Sequence, residues 1–177
     1  MRKLSMEELG RKSVADFKLA NKKPIVVVMD NIRSMHNVGS VFRTADAFLI
    51  SGICLGGFTP QPPHRDIHKT ALGATESVDW LYYDQTVNAI IALKEQGYQV
   101  YAIEQTQGSI SLENFKVFLE QQQDPTKLAF VFGNEVDGVS NEVLLLCNGA
   151  VEIPQYGMKH SLNISIAAAI VLWEMVR

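Results

Sequence analysis

Three stretches of the chain combine glycine with amide, hydroxyl, carboxylate or guanidinium side chains at fixed spacing. The first is Asn37-x-Gly39-x-x-x-Arg43. An arginine stays protonated at any physiological pH, so Arg43 suits gripping a phosphate or stabilising a developing oxyanion better than removing a proton as a free base. Asn37 is placed to cap the helix that carries Arg43, and Gly39 lets a backbone or phosphate approach the first turn, whose free N–H groups favour anions. Alone, the pattern also fits an ordinary cap followed by a surface arginine paired with Asp46. The second is Phe132-Gly133-Asn134-Glu135-x-x-Gly138, in which two glycines around an acidic pair suit a turn held close to a ligand, with Glu135 accepting hydrogen bonds. It also fits a plain turn ahead of Ser140. The third, Ile153-Pro154-x-x-Gly157-x-x-x-Ser161-Leu162-Asn163, joins the last strand to the last helix, where Ser161 and Asn163 compete for the N-cap. All three in one chain, in this order, say more than each alone.

Other chemistries lack their residues. No G-x-G-x-x-G opens a helix and no G-x-x-x-x-G-K-[ST] occurs, so neither a dinucleotide fold nor a P-loop is supported. Cys54 and Cys147 form no C-x-x-C or Cys/His group, which points to free buried thiols in a reducing, cytoplasmic compartment. His64-x-x-x-His68 lacks a third ligand, so no metal is expected. No run approaches the ~18–20 apolar residues of a membrane span, and the charged start is unlike a secretion signal. The net charge of −3 hides an asymmetry: residues 1–75 carry eleven Lys/Arg against six Asp/Glu, residues 76–152 three against twelve. His36, His64, His68 and His160 all fall outside the acidic stretch. This segregation fits a local polyanion site, or a merely solvated charged face.

The elements that must position these loops follow from periodicity. At 177 residues, 47% apolar and 20% charged, the chain suits one domain with a real core. Short β-branched runs alternate with helix-period segments, the pattern of an α/β fold with a mostly parallel sheet and helices on both faces. Six strands are predicted: Ile25–Met29, Ile53–Leu55, Val78–Tyr82, Gln99–Ile103, Leu128–Phe132 and Ala150–Ile153. A capping box at Ser5-x-x-Glu8 predicts a first helix to about Phe17, with Met6, Leu9, Val14 and Phe17 as its stripe. Further helices are predicted over 38–49, capped by Asn37, over 86–96, from Ser140, and over 163–176. The last is apolar nearly all round, so its outer face calls for cover, and a homodimer is expected.

With these motifs in hand, the chain resembles the SpoU family of RNA ribose 2′-O-methyltransferases in the SPOUT superfamily, nearest its small TrmH-like members. The resemblance spans about residues 24–176 and includes Lys69-Thr-Ala-Leu-Gly73-Ala. Gln155, where the family often has Met, is a departure. It implies a C-terminal trefoil knot, an exception to unknotted connections, and a single domain with residues 1–23 as a basic helical extension and 24–176 as the catalytic core. That extension is too short for the N-terminal RNA-binding domain of larger relatives. It implies S-adenosylmethionine as cofactor, held largely by backbone near Glu104, Thr106, Gly133, Asn134, Gly138, Ile153, Pro154, Met158, Ser161 and Leu162. It also implies a dimer packed through the first and last helices.

For catalysis the resemblance singles out Arg43 as activator of the 2′-oxygen. Asn37 is expected to orient Arg43 or the ribose, Glu135 to anchor the loop and Arg43, and Ser161 and Asn163 to fix substrate and cofactor geometry. RNA contact is expected from Arg2, Lys3, Arg11, Lys12, Lys18, Lys22, Lys23, Arg33, His64, Arg65, Lys69 and Lys159. The substrate is expected to be structured RNA, with transfer RNA favoured over ribosomal RNA; a non-catalytic RNA-binding or assembly protein on the same fold is the alternative.

Overall fold

The computed structural model describes residues 1–5, 8–122, 127–159 and 161–177. In chain order the elements are α1 (Val14–Leu19), β1 (Lys23–Asp30), α2 (Met35–Ala47), β2 (Ile50–Gly56), α3 (Arg65–Ala71), α4 (Ala74–Ser77), β3 (Trp80–Tyr83), α5 (Thr86–Glu95), β4 (Gln99–Ile103), β5 (Ile110–Ser111), α6 (Leu112–Gln121), β6 (Leu128–Phe132), α7 (Asn141–Leu144), β7 (Gly149–Glu152) and α8 (Ile164–Val176). All strand pairs are parallel, in the order β3-β2-β1-β6-β4-β7-β5. β7 therefore lies between β4 and β5, two strands that precede it in the chain.

Parallel strands joined by helical crossovers are covered on both faces, which is why β1 and β6 read as continuous apolar runs. Successive side chains of β1 feed two cores. Ile25, Val27 and Met29 pack with α2, α6 and α8 through Phe42, Phe115 and Leu172, while Val26 and Val28 join Ile90, Leu93 and Val143 of α5 and α7. The first core is aromatic at its centre: Tyr101 meets Phe115 edge-on with centroids 4.8 Å apart.

Three predictions change. The sheet has seven strands rather than six, because Ile110–Ser111 pairs with β7 over two residues, too few to show an alternation. The predicted first helix is broken. Ser5 and Glu8 do form reciprocal cap bonds of 2.7 and 3.3 Å, but Gly10 turns the chain at φ 56°, and a second capping box, Ser13 with Asp16, opens α1; Met6 lies outside the described residues. The second helix starts earlier, since Ser34 rather than Asn37 caps it, accepting from Asn37 N at 3.3 Å. Of the two neighbours expected at Gly39, a backbone or a phosphate, the structure places backbone there: Gly39 is buried, and a methyl on it would overlap the Thr70 hydroxyl and the Ile67 carbonyl of α3.

α8 buries Ile164, Ala168, Val171 and Leu172 and leaves Ile166, Ile170 and Trp173 exposed. These three recur at helical spacing along one stripe. Trp173 lies against Phe48 with ring centroids 5.9 Å apart. No helix among the described residues is long and apolar enough to cross a membrane.

Candidate active site

The loops meet at the carboxyl ends of the strands, where open α/β sheets hold their ligands. Asp30, the last residue of β1, is the post around which they are pinned. Its carboxylate is 1% exposed and accepts from Thr86 Oγ1 at 2.6 Å, Asn31 Nδ2 at 3.0 Å and Ser140 N at 2.8 Å. Asp30 therefore joins the loop after β1, the start of α5 and the end of the glycine loop after β6. It was missed from sequence, although an acid closing the apolar run Ile25–Met29 was its signal.

The three motifs touch at one point. With Ser34 serving as cap, the Asn37 amide is free: its Nδ2 donates to Glu135 Oε1 at 2.8 Å and its Oδ1 accepts from Asn163 Nδ2 at 3.1 Å. Asn163 also caps α8, accepting from Ser165 N at 2.9 Å. Residues 98 and 126 positions apart in sequence thus form one hydrogen-bonded line.

Beside this line opens a cavity of about 580 Å³, walled by the loops after β4, β6 and β7; of the residues expected around the cofactor, Glu104, Gly133, Asn134, Gly138, Ile153, Ser161 and Leu162 line it. Thr106, Pro154 and Met158 are not on the wall. The glycine loop is a tight hairpin. Asn134 and Gly138 exchange backbone bonds of 3.1 Å, and Asn134 Oδ1 accepts from Val136 N and Asp137 N at 2.8 Å each. A methyl on Gly133 would overlap Gly138 and Val139 backbone atoms, and one on Gly138, whose φ is 69°, would strike Glu104 Oε2. Glu104 ties this hairpin to β4, accepting from Val139 N at 3.1 Å and Gln105 N at 3.0 Å. Glu104, Glu135, Asp137 and Glu152 line the cavity, and among the described residues neither Lys nor Arg is on its wall. Its size suits a small molecule and its charge suits a cation.

Arg43 stands apart from this group. Two turns along α2 from Asn37, it is exposed and lines a second cleft of about 770 Å³ with Arg11, Lys12, Asp46 and Glu76. Asp46 accepts a hydrogen bond from Ser77. Among the expected RNA contacts, His64 caps α3, its Nδ1 accepting from Asp66 N at 3.1 Å. Lys69 Nζ pairs with Asp66 at 2.7 Å and holds that carboxyl below its ordinary value. Arg33 approaches Asp137 at 4.0 Å. Arg65 and Lys159 are exposed, and His160 lies outside the described residues. Among the described residues, no three His, Cys, Asp or Glu side chains gather as a metal site.

The family model described as the SpoU rRNA Methylase family matches residues 24–173. The chain belongs to this family. Among SpoU relatives, the tRNA (guanosine(18)-2′-O)-methyltransferase of Thermus thermophilus is 32% identical over 171 residues, covering 96% of this chain and 83% of that protein. The 23S rRNA (guanosine-2′-O-)-methyltransferase RlmB of Vibrio parahaemolyticus is 28% identical over 97% of this chain and 66% of its own length. The crystal structure of an AdoMet-bound rRNA methyltransferase from Sinorhizobium meliloti superposes with a TM-score of 0.77 at 28% identity, covering 87% of this chain and 56% of that one. The chain thus spans most of the tRNA enzyme's length and less than two thirds of either rRNA enzyme's.

Proposed function

We propose that the chain transfers a methyl group from S-adenosylmethionine to a ribose 2′-hydroxyl of structured RNA, with transfer RNA as the favoured substrate class. The observation that carries this is the Glu135–Asn37–Asn163 line at the edge of a carboxylate-walled cavity in a SpoU-family chain. Transfer RNA is favoured because, of the two curated relatives described, the Thermus tRNA enzyme is the more identical and is matched over more of its own length.

The residues present fit the cofactor. Four carboxylates line a cavity of suitable size, and the Gly133–Gly138 hairpin leaves no room for side chains at its two crossing points. When bound, S-adenosylmethionine supplies a methyl group activated by a cationic sulfonium. Glu104, Gly133, Asn134, Gly138, Ile153, Ser161 and Leu162 would hold it, largely through backbone groups.

The chain's own residues then have three tasks. The ribose oxygen must be placed in line, which is worth up to ~7–11 kcal/mol for well-oriented reactants. Asn37, Glu135 and Asn163 fix one another, and Ser161 beside them faces the same cavity, so they form a pre-positioned rim. The oxygen must form one O–C bond to the methyl carbon as that carbon's S–C bond breaks, its electron pair staying on sulfur as a neutral thioether, and must lose one proton. Arg43, permanently charged, grips the adjacent phosphate and stabilises the developing alkoxide while the proton leaves to another acceptor.

Arg43 opens on a cleft that shares no lining residue with its own chain's cavity. A homodimer packed through the outer face of α8 and the N-terminal segment provides it with a second route to substrate, at the partner's cavity. The knot belongs to the same reading: the place of β7 in the sheet, between β4 and β5, supports it. The division into a basic extension, 1–23, and a core, 24–176, in a cytoplasmic protein is part of the same proposal. The test is nuclease digestion of RNA incubated with the protein and S-adenosylmethionine, followed by mass spectrometry: a 2′-O-methylnucleoside is expected, and a methylated base contradicts the reading.

A further inference from the structure

Phe58, in the loop after β2, is 58% exposed, yet its loop is held by side-chain hydrogen bonds from several sides. Its own N–H donates to Asn31 Oδ1 at 3.2 Å. Its neighbour Thr59 is 2% exposed, and the Thr59 hydroxyl donates towards Met29 O at 3.0 Å and Gly56 O at 2.7 Å while accepting from Ile32 N at 3.0 Å. Gly57 takes φ 63°, and a methyl on it would overlap the Asn31 amide. Its carbonyl accepts from Tyr82 Oη at 3.0 Å. Asn31 is itself held at φ 55° and bonded to Asp30, the buried post of the site. A large apolar ring left in water on a fixed loop is not a core residue that failed to pack; nothing in the loop lets it turn inward.

A cation lies over this ring. Arg33 places its guanidinium carbon 6.0 Å from the Phe58 centroid and reaches Asp137, on the wall of the cavity, at 4.0 Å. An exposed aromatic face under a planar guanidinium, on a rigid base, is the chemistry that receives an unpaired nucleobase: every base has a π-face for the ring, and its phosphate meets the cation.

We propose that Phe58 and Arg33 form a stacking platform for one unpaired base of the RNA substrate, flanking the nucleotide whose ribose is methylated. This rests on the RNA-methyltransferase reading above. Phe58 is then a positioning residue: it sets the register of the strand relative to the cavity through Arg33 and Asp137, and takes no part in proton or methyl transfer.

The test uses the full chain. Phe58→Ala is expected to raise KM for RNA roughly tenfold, within the range of one lost base stack, leaving kcat at saturating RNA and the Kd for S-adenosylmethionine unchanged. Phe58→Trp is expected to restore KM and to report stacking directly, its added fluorescence being quenched by a single-stranded oligonucleotide while that of wild type, with Trp80 and Trp173 only, is not. An unchanged KM in Phe58→Ala, or Phe58→Trp fluorescence indifferent to saturating RNA, overturns the platform. The fluorescence arm needs no turnover, so a platform that quenches in a protein that methylates nothing separates failure of the enzymatic reading from failure of this one.

Discussion

Asn37 donates to Glu135 at 2.8 Å from the first turn of a helix it does not cap. Because Ser34 satisfies the helix end, the Asn37 amide is available to link two loops, and at 9% exposure it does so largely shielded from water. Asn37→Ala leaves Glu135 and Asn163 without that partner, and a lost hydrogen bond to a charged group costs ~1.5–3 kcal/mol. A fall in kcat/KM of at least tenfold is expected, with a lowered melting temperature. Asn37→Asp puts a carboxylate against Glu135, so one of the two must take up a proton before the bond re-forms. Its activity relative to wild type should therefore rise as pH falls, which a pH series on both proteins checks.

The Gly133–Gly138 hairpin predicts a variant that folds but does not bind. Gly133→Ala drives a methyl into the Gly138 carbonyl, and Gly138→Ala meets the Glu104 carboxylate while forcing alanine to a positive φ. Either change opens the wall shared by the loops after β4 and β6. Calorimetric titration with S-adenosylmethionine should show at least tenfold weaker binding, with far-UV circular dichroism unchanged because both sit in a loop.

The outer stripe of α8 predicts the assembly. Ile166, Ile170 and Trp173 are exposed together, and a charge placed among them is costly only where another surface covers them. Ile170→Glu should convert a dimer to a monomer in sedimentation velocity; wild type sedimenting as a monomer at micromolar concentration contradicts the proposed packing. Mixed dimers supply a sharper version. If Arg43 serves the partner's cavity, inactive Arg43→Ala and Glu135→Ala chains should regain activity on mixing.

Both cysteines are free, and burial pushes their thiols up, Cys54 to about 12 and Cys147 to about 11. The thiolate is the reactive form, so native protein at pH 8 should react with iodoacetamide far more slowly than urea-unfolded protein. The same shift has a sign for stability. Above the unfolded value of 9.0, the folded state keeps protons that the unfolded state loses, so stability falls as pH rises from about 9 towards 12. Denaturant titrations at pH 8 and pH 10 check this; Cys54→Ser should lessen the slope.

Sequence legibility varied with how local the determining physics was. The strands Gln99–Ile103 and Leu128–Phe132 are found where the apolar runs place them, because burial on both faces leaves an unmistakable pattern. α3 and α4 were invisible: they carry His64-Arg65-Asp66 and short polar turns whose helicity depends on α2 packing onto them at Gly39. The roles of Asn37 and Asn163 were ambiguous because each residue type caps helices anywhere, and only the neighbouring Ser34 decides that one of them is free. Motif order nominated the cavity, but not which motif residue faces which space. Arg43, central to the sequence reading, looks onto a different cleft from Ser161 and Leu162.

In the proposed reaction this chain methylates ribose, and Arg43 activates the 2′-oxygen without building the cofactor site. This is tested by transfer of labelled methyl from S-adenosylmethionine to separate transfer-RNA and ribosomal-RNA pools lacking the modification. Wild type and Arg43→Ala are run side by side, and cofactor affinity is measured for both. Label is expected in the transfer-RNA pool with wild type, a loss of at least a hundredfold with Arg43→Ala, and equal cofactor affinity for the two proteins. Undiminished transfer by Arg43→Ala, or loss of cofactor binding in parallel with loss of transfer, contradicts the proposal.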